Sequence, residues 1–269
     1  MGGITDVVVV RLPRRKWVRA WLVLPVAVLL VLALTGFALQ MAHKGNSGKY
    51  SRHTLGSDRW YDLYVPASVS PEPQVWLVLH GKGSSPEKAE KNYAISRMAD
   101  RHGFVVAYPA GTGVEGDRTW NAGTCCGMPV THHVDDVAFL DRVVADVRMR
   151  VPTAQASGLR LVGGSSGEMM AIRYACVRPD QVYGVGGAMG AFVAPACSPN
   201  PAWKIYDAHG SRDSVVPFDG GYSELLHMTF EPVRSLAKHF PGASVRIREW
   251  DGGHTWPPFA GEEIYDYLR

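Results

Sequence analysis

Residues 163–167 read Gly-Gly-Ser-Ser-Gly, a G-x-S-x-G spacing centred on Ser165. The apolar run Leu159 to Val162 precedes it, and a helix-forming stretch from Glu168 to Arg178 follows. A strand that turns sharply into a helix lifts such a serine above the sheet as a nucleophile elbow. Side chains two before and two after the serine would clash in so tight a bend, and Gly163 and Gly167 remove them. Ser166 is the rival nucleophile, but Glu168 stands two residues beyond it, so the spacing fails there. A serine hydroxyl needs a base within hydrogen-bond reach. His254, in Asp251-Gly252-Gly253-His254, can take the proton and return it to a leaving group. Asp213, in His209-Gly210-Ser211-Arg212-Asp213, can fix the imidazole tautomer and stabilise the imidazolium. Asp207, inside a strand run, and Asp251, opening an Asp-Gly-Gly turn, are the rival acids.

Acyl transfer through a serine also needs two donors for the developing oxyanion. The Ser166 N–H at the helix start is one candidate. The loop His80-Gly81-Lys82-Gly83, after the run Val75–Leu79, offers the other, with Lys82 N–H preferred and Gly83 as its neighbour. Trp120 and Trp256 are candidate walls of an aromatic acyl pocket. Glu168, in the first helical turn, suits the helix dipole and brings a carboxylate near the site, where it would repel anionic substrates. Asp135 and Asp136 read as an N-cap and a first-turn acid rather than a catalytic pair.

The elements that must position these groups alternate between strand and helix. Trp60–Val65 suits an outer strand, and residues 43–58 a tether or first strand. Val75–Leu79 and Phe104–Tyr108 are unbroken apolar runs, as strands buried on both faces should be. Ser85-Pro86 starts a helix that runs to about Arg101 and ends at Gly103. Leu140, Val143, Val144 and Val147 mark one face of another helix. Strand runs Val182–Ala188, Trp203–Tyr206 and Val245–Arg248 follow. The alternation predicts an α/β fold with a mostly parallel central sheet flanked by helices. Only twelve residues, Ala191 to Ala202, separate Gly190 from Trp203. That is too few for a cap domain, so an open site is expected.

The chain divides by charge. It holds 28 basic and 25 acidic residues, but Arg11, Arg14, Arg15, Lys16 and Arg19 precede residue 43 against only Asp6. The remainder is close to neutral, which gives no electrostatic case for nucleic acid. Ala20 to Leu39 is an apolar run broken only by Pro25, Thr35 and Gly36, long enough as one hydrophobic helix to cross roughly 30 Å of hydrocarbon. Three segments are therefore expected: a basic cytoplasmic tail at 1–19, a transmembrane anchor or signal segment at 20–42, and a catalytic domain at 43–269 outside the cytoplasm. Cys125, Cys126, Cys176 and Cys197 would meet an oxidising environment there. A bridge between neighbours is sterically poor, so Cys125 and Cys126 are expected to pair elsewhere or to stay as buried thiols. No spacing among these residues suits a metal, and no cofactor is implied.

The chain resembles the polyhydroxybutyrate depolymerase and feruloyl esterase family of α/β-hydrolases. The resemblance rests on Leu79-His80-Gly81, Ala107-Tyr108-Pro109, Trp120 with Cys125-Cys126-Gly127, Val134 to Leu140, Gly163 to Met170, His209-Gly210 with Asp213, and Gly252 to Pro257. The order Ser, Asp, His is also that of the α/β-hydrolase triad. The resemblance implies that fold, Ser165, Asp213 and His254 as the triad, and secreted ester hydrolysis; with the open site, short-chain, hydroxyalkanoate or hydroxycinnamoyl esters, free or polymer-attached, are the expected substrates. Acyl transfer, peptide hydrolysis and a non-catalytic binding role are the alternatives.

Overall fold

The buried strands Val75–Leu79 and Val105–Pro109 set the frame, because strands covered on both faces can only sit between two layers of helix. The computed structural model describes residues 48–56, 59–195 and 197–269. The expected basic tail and membrane segment, 1–19 and 20–42, lie outside the described residues. Among the described residues no helix is long and apolar enough to cross a membrane.

Among the described residues there are ten strands: β1 (Lys49–Leu55), β2 (Arg59–Val65), β3 (Val75–Leu79), β4 (Val105–Pro109), β5 (Leu159–Gly164), β6 (Val182–Ala188), β7 (Lys204–Gly210), β8 (Gly221–Ser223), β9 (Met228–Phe230) and β10 (Ser244–Trp250). Eight form one sheet in the order β1-β2-β4-β3-β5-β6-β7-β10, and β8 and β9 form a separate hairpin. β1, β2 and β4 pair antiparallel, and every other pair in the large sheet is parallel.

The helices are α1 (Pro86–Tyr93), α2 (Ile95–His102), α3 (Met128–Thr131), α4 (Asp136–Arg150), α5 (Ser166–Val177) and α6 (Ala260–Leu268), with a 3-10 helix at Val233–His239. Ser85 caps α1 by accepting the Lys88 N–H, and Gly103 closes α2 with φ 75°. The single helix expected from Ser85 to about Arg101 is instead two. Ala94, at φ 61°, ends α1 and starts α2, and the break leaves Tyr93 buried under the elbow. Asp135 caps α4 through the Ala138 N–H at 2.9 Å, as its position suggests.

Strand residues alternate between the two faces of the sheet. Leu77 and Leu79 pack with Phe139, Leu140, Met169 and Ile172 of α4 and α5. Trp76 and Val78 pack with Ala89, Ile95, Met98 and Ile264 of α1, α2 and α6. Register then decides where the chemistry falls. Leu79 pairs with Gly163, Gly164 with Ala188, Ala188 with Ala208, and Gly210 with Trp250. The loops after β3, β5, β7 and β10 therefore leave one edge of the sheet together, as ligand-binding loops do in open α/β sheets.

Candidate active site

Ser165 joins β5 to α5 with φ 54° and ψ −123°, a conformation that a side-chain-bearing residue adopts only under constraint. The glycines around it explain how. A Cβ on Gly163 would overlap the backbone of Gly167 and Glu168, and one on Gly167 would stand 2.6 Å from His80 O and closer still to Leu79 O. The Ser165 N–H is held by Ala188 O at 2.9 Å.

His254 Nε2 lies 2.9 Å from Ser165 Oγ, and His254 Nδ1 lies 2.7 Å from Asp213 Oδ2. Asp213 Oδ1 accepts the N–H groups of Val215 and Val216, both at 2.8 Å. Burial alone would raise the Asp213 carboxyl, but hydrogen bonds from His209 and His254 outweigh it and hold the group well below the carboxylate range. The two loops are stitched together. Ser211 N–H donates to Trp250 O at 2.9 Å and Arg212 N–H to Gly252 O at 2.8 Å. A Cβ on Gly210 would meet Gly253 O at 2.6 Å, so the Asp and His loops approach backbone to backbone. The structure thus brings together the three predicted residues and sets the rivals apart. Asp251 is exposed and pairs with Arg212, Asp207 reaches His209, and the Ser166 side chain is buried.

The loop after β3 sits against the elbow, where a Cβ on Gly81 would lie 3.5 Å from Ser165 Cβ. Gly83 N–H is spent on Arg118 O at 2.9 Å, whereas among the described residues Lys82 N–H and Ser166 N–H have no acceptor. Of the two loop candidates, Lys82 is the one left free to bind an oxyanion.

Several side chains hold this loop in place. His80 is fully buried. Its Nε2 accepts the Gly111 N–H at 3.0 Å, so the proton sits on Nδ1 and is donated to Gly81 O at 2.8 Å. Burial pushes this imidazole down to about 4. Trp120 is one of the two candidate walls of the acyl pocket. It is instead completely buried and donates its indole N–H to His80 O at 2.8 Å, because that carbonyl needs a partner inside the fold. Trp256 is half-buried and stacks on Tyr93 with ring centroids 3.9 Å apart, while the Tyr93 hydroxyl lies against Gly164, where a Cβ would overlap it.

Glu168 does not present a carboxylate to substrate. It points into the fold, fully buried, where its Oε2 accepts the Gly190 N–H at 2.8 Å. Asp136 is more than a first-turn acid. It is buried, bonds Arg59 at 2.8 Å and accepts the Asn121 N–H at 2.7 Å, so it anchors the long loop between β4 and α4. The cysteines pair as Cys125–Cys126 and Cys176–Cys197. The expectation against a bridge between neighbours is corrected. The peptide bond joining Cys125 and Cys126 is cis. Cys176–Cys197 ties the end of α5 to the segment after β6.

No family model matches the chain. Among solved structures, an acetyl xylan esterase from Aspergillus awamori superposes with a TM-score of 0.58, covering 82% of this chain and 99% of that one at 14% identity. The chain has the α/β-hydrolase fold. Its curated relatives are esterases by name. It is 27% identical to feruloyl esterase C of Emericella nidulans, over 86% of this chain and 92% of that protein. It is 31% identical to NocK of Nocardia uniformis subsp. tsuyamanensis, whose name marks it as a candidate esterase, over 61% of this chain and 48% of that protein. It is also 29% identical to the bifunctional acetylxylan esterase/xylanase XynS20E of Neocallimastix patriciarum, over 61% of this chain and 22% of that one. The chain thus spans about half the length, or less, of the first curated relatives it matches. These likenesses agree with the α/β-hydrolase fold and the feruloyl esterase resemblance read from the motifs.

Proposed function

We propose that this α/β-hydrolase is a serine carboxylic ester hydrolase. The observation that carries the reading is the unbroken chain from Ser165 Oγ through His254 to Asp213, beside two unspent backbone donors. His254 Nε2 takes the Ser165 proton as Oγ attacks the ester carbonyl carbon. The carbonyl oxygen gains charge and is met by the Lys82 and Ser166 N–H groups, each worth about 3–4 kcal/mol in the transition state. Collapse of the tetrahedral species breaks the bond to the alcohol oxygen, and the His254 proton leaves with it. Water, deprotonated by the same imidazole, then splits the acyl-serine ester and restores Ser165.

Short-chain, hydroxyalkanoate or hydroxycinnamoyl esters are the proposed substrates. The relative named feruloyl esterase C supports the hydroxycinnamoyl member of that set. The short connection between β6 and β7 supports an open site, in which long acyl chains bury few CH₂ groups at about 0.8 kcal/mol each. The catalytic domain is proposed to lie outside the cytoplasm, held by residues 20–42. The four half-cystines, all paired, and the basic cluster before the apolar run support this placement. Protease added to intact spheroplasts should cut the Ser165 domain and spare the N-terminal tail; protection of the domain would refute the placement.

The activity itself is tested with Ser165→Ala. This variant should lose p-nitrophenyl acetate hydrolysis and fluorophosphonate labelling, whereas Ser166→Ala should still be labelled at Ser165. Hydrolysis that survives in Ser165→Ala overturns the assignment. On the unmodified protein kcat/KM should fall from acetate or feruloyl to palmitoyl esters, and a preference for palmitate overturns the substrate reading.

A further inference from the structure

Behind the triad, a second buried row of titratable groups runs back into the fold. Asp213 Oδ2, which takes the His254 Nδ1–H, also faces His209 Nε2 at 3.4 Å. His209 is fully buried at the end of β7. Its Nε2 lies 2.9 Å from Val216 O, and its Nδ1 lies 3.1 Å from Asp207 Oδ2. Both ring nitrogens therefore face only acceptors. A neutral imidazole has one N–H and one lone pair, so it would set a lone pair against an oxygen on one side. The doubly protonated ring satisfies both sides. Asp207 is buried too, and its Oδ1 has no conventional donor. The Glu168 carboxyl lies beside Gly187, the partner of Asp207 in register, and so reaches the Asp207 side. It rests on Gly187 and Gly190, where any side chain would overlap it. Two buried carboxyl groups in contact share a proton.

We propose that His209 is a standing imidazolium that positions the triad acid from behind, with Asp207 as its bridge to a protonated Glu168. Asp213 then lies between two imidazoles, one permanently charged and one charged only during turnover. The standing cation fixes the Asp213 carboxylate in the plane that His254 needs. It also opposes a second positive charge on His254, so the base stays unprotonated to lower pH. Burial would lower the His209 ring, but its bonds to Asp207 and Asp213 prevail and push it up to about 10. For Glu168, burial first and the Asp207 charge second push the carboxyl well above its ordinary range.

The groups facing His209 are Asp207 on β7 and Asp213 on the loop after β7, with His254 beyond Asp213 on the loop after β10 and Glu168 beyond Asp207 on α5. Glu249 is opposite His209 in register on β10 but lies at the surface, 3.4 Å from Arg234. Arg234 is set over the Phe218 ring, whose centroid lies 5.9 Å from that of His209.

The rate consequence rests on the serine hydrolase reading; the charge of His209 does not. Nitrogen-15 NMR of the full chain at pH 8 should show one imidazole with both nitrogens protonated, and His209→Gln should remove that signal. A neutral His209 at pH 8 overturns the proposal. The acid limb of kcat/KM should move upward by about one pH unit in His209→Gln, because a nearby cation is lost. In Glu168→Gln the amide keeps a donor on the Asp207 side, so the limb should hold its place. A limb that stays put or moves down in His209→Gln overturns the proposal. If His209→Gln does not fold, the wild-type spectrum decides. If Ser165→Ala keeps its activity, the hydrolase reading fails while the spectrum still tests the charge of His209.

Discussion

Gly167→Ala places one methyl group where α5 leaves the elbow. That methyl would stand 2.6 Å from His80 O and nearer still to Leu79 O. Ordinary contact begins at about 3.5 Å, so strand and helix must part by at least about 1 Å. Neither neighbour can swing aside, since both are backbone atoms at the end of β3. Leu79 is registered against Gly163, and His80 O is held by the Trp120 indole. The start of the helix must move instead, carrying Ser165 and the Ser166 N–H with it. A misplacement of about 1 Å at reacting groups costs on the order of 100-fold in rate. Overpacking a rigid site costs about 1–3 kcal/mol of stability. We therefore expect kcat for p-nitrophenyl acetate to fall about 100-fold and Tm to drop by several degrees. KM should change less, because oxyanion binding is realised in the transition state. Gly253→Ala is the matched control, since its methyl would meet only Arg212 O at 3.7 Å. If Gly167→Ala keeps kcat within about threefold and melts like the parent, the elbow argument is refuted.

Asp136→Ala removes a buried carboxylate from Arg59 and from the Asn121 N–H, and should cost about 3–5 kcal/mol in urea unfolding; a loss below about 1 kcal/mol would show that the pair does not anchor the loop. His80 supplies a pH dependence. Its folded value is lowered to about 4 from an unfolded value near 6.5. Between those values the unfolded chain binds the extra proton, so stability rises with pH across that window by about 3 kcal/mol in all. Chemical denaturation at pH 4.5 and pH 7 should show this slope in the parent and a shallower one in His80→Asn, and equal slopes would discount the buried neutral imidazole. Trp120→Phe leaves His80 O unpaired and should cost about 1–3 kcal/mol, with kcat falling more than KM rises; a selective rise in KM for aromatic esters alone would instead restore Trp120 to the acyl pocket.

The parallel strands were legible because burial on both faces leaves an unbroken apolar run that no exposed element tolerates. Val75–Leu79 and Val182–Ala188 have the same bounds in sequence and structure. The elbow was legible for a different reason, since Gly163 and Gly167 answer to backbone crowding within five residues. What escaped reading depends on contacts far apart in the chain. Nothing local marks Ala94 as left-handed; the break is visible only once Tyr93 is seen under Gly81 and Gly164. The β8–β9 hairpin and the 3-10 helix carry no apolar period to announce them. Trp120 could face either way until the His80 carbonyl was known to need its N–H.

The same division runs through the site itself. Ser165, Asp213 and His254 each sit on a loop whose glycines and turn residues betray it. Glu168, Asp207 and His209 sit inside regular elements, where a charged residue looks like a surface residue or a strand accident. Their meaning comes from strand register. Parallel pairing of β6 with β7 sets Gly187 beside Asp207 and Ala188 beside Ala208, and the side-chain-free Gly187 leaves room for the Glu168 carboxyl. One extra methyl there would exclude Glu168 from the interior and leave Asp207 without its acid partner. The catalytic loops thus show where bond-making groups emerge, while the glycines of β6 decide which charges can be stored behind them.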